Sequence, residues 1–169
     1  MSDLVRVAVD AMGGDYAPVE PVKGAVEAVN ADERVKVQLV GQVDVIEKEL
    51  QKYTYPKERV EIVPATEIIE TGEPPVNAIR HKKDSSIVVG MKKVRCGEAD
   101  AFVSSGSTGA VLVGGQTIVG RIKGVERPPL APLIPTKDGV SLLIDCGANV
   151  DARPVSYTHL RAHETELHL

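Results

Sequence analysis

Apolar residues follow two alternating rhythms along this chain. Short apolar runs stand at Leu4–Asp10, Val35–Val40, Val60–Val63, Ala101–Ser104 and Ser141–Asp145. Brief runs rich in valine, leucine and isoleucine, closed by Gly, Asp or Pro, predict strands covered on both faces. Between them the apolar period lengthens. Val19, Val22, Val26 and Val29 recur at helical spacing, and Pro18 and Pro21 sit in the first turn, so a helix is predicted over Pro18–Asn30. Asp44 is placed to cap a second helix running to about Lys52. Helices over Val76–Lys82, over Ser85–Arg95 with Gly97 ending it, and over Thr108–Ile118 follow. Pro64–Pro75 (PATEIIETGEPP) reads as a long loop, and such loops in compact domains are often functional. The proline-rich stretch Arg127–Pro135 confines any strand there to a sheet edge.

A strand–helix alternation of this kind implies an α/β fold with a Rossmann-like parallel sheet and helices on both faces. Right-handed crossovers then bring the strand exits to one edge, where such sheets bind ligands. Three exits are polar and rich in small residues: AMGGDYAP after Asp10, SGSTGA after Ser104, and CGANVD after Asp145. The expectation is that all three converge.

The chain's end breaks the pattern. From Ser156 the sequence SYTHLRAHETELHL has no apolar period and holds three of the four histidines. SYTHLRAHET resembles one reading frame of a DNA adapter used in transposon-based sequencing libraries. Residues 1–155 are therefore expected to be the N-terminal part of one α/β domain, and 156–169 a non-native tail outside fold reasoning. The His/Glu cluster of that tail is not read as a metal site.

Composition narrows the function classes. A net charge of −4 and a single Phe beside four Tyr argue against nucleic-acid binding, which needs a basic surface or stacking aromatics. Cys96 and Cys146 form no CxxC and fit a reducing cytosol. There is no run of 18 apolar residues to cross a membrane.

Each polar exit has a chemical reading and a plain one. Ser104–Ala110 (SSGSTGA) can present N–H groups to an anion such as phosphate, or simply cap a helix; it is neither a Walker A motif nor a GxGxxG. In DAMGGD, Gly13 and Gly14 allow close backbone approach, and Asp10 and Asp15 can orient a base, accept a proton or serve as turn residues. Arg80 and Lys83, three apart in RHKKDSS, can clamp a phosphate or be a solvated charge run. Asn149 in DCGANVD can donate to an oxyanion, whereas Cys146 has nothing nearby to activate it. No Ser-His-acid triad is present, and His81 is the sole histidine before the tail. An enzyme built this way would take its nucleophile from a substrate, and inorganic phosphate fits.

Taken in order, VAVDAMGGDYAP, AIRHKKDSSI, SSGSTGA, GRIKGVERPPLAP and DCGANVDARP resemble the bacterial phosphate acyltransferase of phospholipid synthesis. The similarity runs over residues 4–154. It implies transfer of a fatty acyl group from acyl carrier protein to inorganic phosphate, giving an acyl-phosphate that feeds a membrane glycerol-3-phosphate acyltransferase. It also implies an isocitrate/isopropylmalate dehydrogenase-like fold, here incomplete, a homodimer when full length, and a cytoplasmic protein peripheral to the inner membrane face. Membrane contact would come through the part beyond this chain. No metal and no cofactor are expected. Matched by position, the family pattern gives Asp10, Asp15, Arg80, Lys83 and Asn149 as catalytic candidates. Gly13, Gly14, Ser85, Ser104, Gly106, Thr108, Gly109, Asp145 and Asp151 are candidates for holding phosphate. Ser86, Ala110, Gly147 and Ala148 also match, while Ser107 stands where the family usually has Asn. Two other readings stay open: a catalytically inert half-domain, and an NAD-dependent dehydrogenase on a related fold.

Overall fold

The computed structural model of the chain describes residues 4–125, 128, 130–137 and 139–143. These fall into two compact units that part between Gly120 and Arg121. In the first unit, strands β1 (Val5–Asp10), β2 (Val35–Gly41), β3 (Val60–Pro64) and β4 (Ala101–Val103) alternate with helices α1 (Val19–Ala31), α2 (Val43–Leu50), α3 (Pro75–His81), α4 (Ser86–Arg95) and α5 (Thr108–Gly114). A single π-turn, Gly115–Val119, extends α5.

All four strands are parallel, in the order β3-β2-β1-β4. Val7 lies between Val37 and Ala101, and Val9 between Leu39 and Val103. The period-2 alternation divides the side chains between two cores. Val9, Val35, Val37, Leu39 and Ile62 meet α1 and α2 through Val22, Val26, Val29, Ile46 and Leu50. Ala8, Val40 and Val63 face the other way, toward Val89 and Val94 of α4, and Phe102 joins them. Helices α3, α4 and α5 pack on one another through Ile79, Ile87, Val88, Met91 and Ala110. The sheet therefore carries helices on both faces, as the alternation of patterns implied.

Two consecutive crossovers, through α1 and α2, build the sheet outward from β1 to β3. The next connection, through α3 and α4, returns across the opposite face and sets β4 on the other side of β1. The strand order thus reverses between β1 and β4. Arg6 of β1 fixes that pairing at its far end, with its guanidinium 2.9 Å from Asp100 and its backbone N–H donating to the same carboxylate at 2.8 Å.

The second unit departs from expectation. Residues 139–142 do not extend the parallel sheet. They form β6 (Gly139–Leu142), antiparallel to β5 (Leu133–Thr136), in a ribbon of its own. Only two residues separate the two segments, so local hairpin closure supplies the partner that Val140, Ser141 and Leu142 need. Pro135 is tolerated because both strands of a two-stranded ribbon are edges. The other adjustment is at α2, whose N-cap is Gln42 without a side-chain bond, so that Asp44 lies in the first turn instead of capping it.

Several carboxylates are held ionised, most of them at the surface and Glu49 buried. Hydrogen bonds from the Arg34 side chain and backbone keep Asp32 down at about 2. Glu49, Glu73, Asp84 and Asp100 are lowered chiefly by bonds from Lys52, Lys82, Thr66 and Arg6. A carboxyl whose folded pKa lies below its unfolded value stabilises the fold above the unfolded pKa and loses that contribution as pH falls through the folded one. Unfolded carboxyls titrate near about 4. The thermal midpoint should then be level above about pH 5 and drop steadily between about pH 4 and 2. A midpoint unchanged down to pH 2 contradicts this.

Candidate functional site

The exits of β1 and β4 touch. Asp10 ends β1 with its side chain buried at 1% exposure. Its Oδ1 accepts the Met12 N–H at 3.1 Å, and its Oδ2 accepts the Ser104 hydroxyl at 2.7 Å. The Ser104 Oγ in turn accepts the Gly106 N–H at 3.0 Å, and the Ser105 hydroxyl donates to the Gly13 carbonyl at 2.9 Å. The two bends are in backbone contact. A Cβ on Gly13 would stand 2.3 Å from Asp10 Oδ2 and 2.9 Å from the Gly106 nitrogen, and one on Gly106 would stand 3.1 Å from the Gly13 Cα. Gly14 holds φ at +99°, a conformation that glycine adopts without cost, and the Ser105 side chain and carbonyl crowd it.

Around this junction the sequence folds for local reasons. Ser107 is nearly buried, and its hydroxyl caps α5 by accepting the Ala110 N–H at 3.3 Å. Serine serves there as well as asparagine, since both rank high as N-caps. Gly109 packs on Pro75, 2.6 Å from where a Cβ would sit, so the start of α3 lies against the start of α5. A groove of about 430 Å³ runs along the α1 side of β1 and β4, lined by Val7, Val9, Ala25, Ala28 and Val103, and it shares Asp10, Ser104 and Ser105 with the junction.

The other sequence candidates are placed apart from these contacts. Arg80 is exposed, and its guanidinium makes no hydrogen bond or ion pair among the described residues. Lys83 Nζ donates to the Ile79 carbonyl at 3.1 Å, within its own segment. The Ser85 hydroxyl is fully buried; it donates to the Lys82 carbonyl at 2.9 Å and caps α4 by accepting from Val88. Asp15 is exposed at the rim. Asp145, Gly147, Ala148, Asn149 and Asp151 lie outside the described residues.

Two residues the sequence reading passed over organise the neighbouring loop. Lys82 Nζ donates to the Ile68 carbonyl at 2.6 Å and pairs with Glu73, tying down the 65–74 loop. Asp84 accepts the Thr66 hydroxyl at 2.6 Å and its N–H at 2.9 Å. The signal available was the run of glutamates in that loop shortly before the basic RHKKD, a charge match that periodicity does not register. Among the described residues no three His, Cys, Asp or Glu side chains gather in a form that could hold a metal, and none of their helices is long and apolar enough to cross a membrane.

The arrangement has relatives. Residues 5–160 match the model of a family described as "Fatty acid synthesis protein". The chain belongs to that family. It is 51% identical over 151 residues to a phosphate acyltransferase of Alkaliphilus oremlandii, which covers 89% of this chain and 44% of the relative. A phosphate acyltransferase of Clostridium kluyveri is 50% identical over 148 residues, covering 88% of this chain and 44% of the relative. The chain thus spans about half the length of the curated relatives it matches. Among solved structures, a phosphotransacetylase from Streptococcus pyogenes shares the fold with a TM-score of 0.66 at 17% identity, over 93% of this chain and 51% of that one. The resemblance read from DAMGGD, SSGSTGA and the other motifs is therefore found again in whole-chain comparison with phosphate acyltransferases.

Proposed function

We propose that this member of the fatty acid synthesis protein family is the N-terminal part of a phosphate acyltransferase, which moves a fatty acyl group from acyl carrier protein to inorganic phosphate. One observation carries the reading. The two small-residue bends meet where the strand order reverses, the crevice in which open α/β sheets bind their ligands. Its relatives are phosphate acyltransferases in a family of fatty acid synthesis, which supports the following chemistry. A phosphate oxygen attacks the thioester carbonyl, a C–O bond forms, the C–S bond breaks, and the carrier leaves as its thiol after taking a proton. A protein need only place the anion and stabilise the developing oxyanion for this reaction.

In this reading the bends at Gly13–Gly14 and Ser104–Gly109 cup the phosphate. The groove beside them gives the acyl chain an apolar wall. Arg80 or Lys83 adds positive charge, Asp15 stands at the rim, and Asn149 orients the carbonyl, with Asp145 and Asp151 shaping the third exit. Residues 1–155 form the native part, with an isocitrate/isopropylmalate dehydrogenase-like fold that is completed by further chain. The full-length protein is a cytoplasmic homodimer, peripheral to the inner membrane face, and passes its acyl-phosphate to a membrane glycerol-3-phosphate acyltransferase.

The test is direct. Given acyl carrier protein loaded with a fatty acyl thioester, the full-length protein carrying this sequence is expected to release free carrier in proportion to added phosphate. Release that ignores phosphate, or no release at all, overturns the reading.

A further inference from the structure

The Asp10 carboxylate is the most enclosed acidic group of the junction, and its contacts give it a role that differs from proton transfer. We propose that Asp10 is a positioning residue: it presets the 104–107 bend for an oxyanion through the hydroxyl of Ser104, without touching substrate itself. The proposal rests on the phosphate reading above.

Burial comes first. At 1% exposure Asp10 borders the groove yet keeps almost no surface for a ligand. Both carboxylate oxygens are engaged, Oδ1 by the Met12 N–H at 3.1 Å and Oδ2 by the Ser104 hydroxyl at 2.7 Å. Hydrogen-bond accounting comes second. A serine hydroxyl has one proton and two lone pairs. Ser104 gives its proton to Asp10, so towards every other group it can only accept, and it accepts the Gly106 N–H at 3.0 Å. Ser104 is then not a donor to phosphate, and neither is the Gly106 amide. Both are spent on fixing the bend.

The contact between the bends makes this arrangement specific. Gly13 and Gly106 lie so close that neither tolerates a Cβ without displacing Asp10, the Gly106 nitrogen or the Gly13 backbone. A bond from the Ser105 hydroxyl to the Gly13 carbonyl locks the same pair from the other side. The route of influence therefore runs from Asp10 Oδ2 through Ser104 Oγ to the Gly106 N–H, and from there to the course of the chain into α5. A charged partner makes the first link stronger than a neutral one.

A double-substitution cycle on the 169-residue chain decides it, with inorganic phosphate as the probe in isothermal titration and amide exchange at Gly106 as a second readout. Asp10→Asn preserves the shape and the Met12 contact but turns a donor towards Ser104. It is expected to weaken phosphate binding by about tenfold, the size of one hydrogen bond to a charged group. Ser104→Ala should weaken it about as much and deprotect the Gly106 amide, and Ser104→Thr, which keeps the hydroxyl, should restore both. In the Ser104→Ala background, Asp10→Asn should change affinity by less than about twofold, because coupled residues are not additive. Additive losses, or an Asp10→Asn variant with unchanged affinity in the native background, overturn the proposal. If the unsubstituted chain does not bind phosphate, the phosphate reading fails instead. Gly106 exchange then still decides whether Asp10 acts through Ser104: an effect of Asp10→Asn on Gly106 protection that vanishes in the Ser104→Ala background supports it, and independent effects sink it.

Discussion

Gly13→Val is expected to dismantle the junction, lowering stability by about 1–3 kcal/mol or more and abolishing phosphate-dependent acyl transfer in the full-length protein. The reason is steric. A Cβ at residue 13 would stand 2.3 Å from Asp10 Oδ2, 2.9 Å from the Gly106 nitrogen and 3.0 Å from the Asp10 Cγ. Relief cannot come from a flexible side-chain end, because Asp10 is buried and bonded at both oxygens and the Gly106 nitrogen is backbone. Either the β1 exit moves away from the β4 exit or the carboxylate swings out and leaves the Ser104 proton and the Met12 amide without acceptors. Each unpaired buried polar group costs about 1–3 kcal/mol. Gly24→Ala in the middle of α1 is the control. A Cβ there meets nothing within 4 Å, so better helix propensity should raise stability by about 0.5–1 kcal/mol. Denaturant unfolding compares the two. A Gly13→Val protein as stable and active as the parent would show that the two bends are not in contact.

Leu39→Ala is expected to cost about 2–5 kcal/mol, much of the stability that a domain of this size commands. Leu39 is fully enclosed. It lies on β2, an interior strand of the sheet, between Val9 on β1 and Ile62 on β3, and it packs in the core that α1 and α2 close. Removing three carbons there leaves a cavity that neither the sheet nor two helices can collapse to fill. Because the β1 exit is continuous with this core, the loss is expected to weaken the junction as well as the fold. A change in the midpoint of urea unfolding worth less than about 1 kcal/mol would contradict the packing described.

How far the sequence could be read depends on whether the decisive partners are local. The valines of α1 and the apolar runs of β1 to β4 carry their own period, so their elements were legible within a residue or two. Ser85 and Ser107 were visible as polar residues before helices, but only coordinates show that their hydroxyls are spent as caps. Strand order was not legible at all, because a parallel sheet pairs segments as far apart as Val7 and Ala101. That order creates the switch point and so the site. The strand expected over Ser141–Asp145 misled for the opposite reason, since Ser141 and Leu142 pair in the ribbon instead. Its apolar run is that of a sheet strand, yet a neighbour two residues away captures it. Asp10 showed as one acid among several near glycines. Its partner Ser104 lies 94 residues away, beyond the reach of any spacing argument.

The central claim is that the β1 and β4 exits make one place for a phosphate oxyanion. Amide NMR of the 169-residue chain during titration with inorganic phosphate tests it most directly. Gly13, Gly14 and Ser105 to Gly109 are expected to shift together along one saturating curve. Shifts confined to Arg80–Ser86, or no saturable shift at either bend, would contradict it.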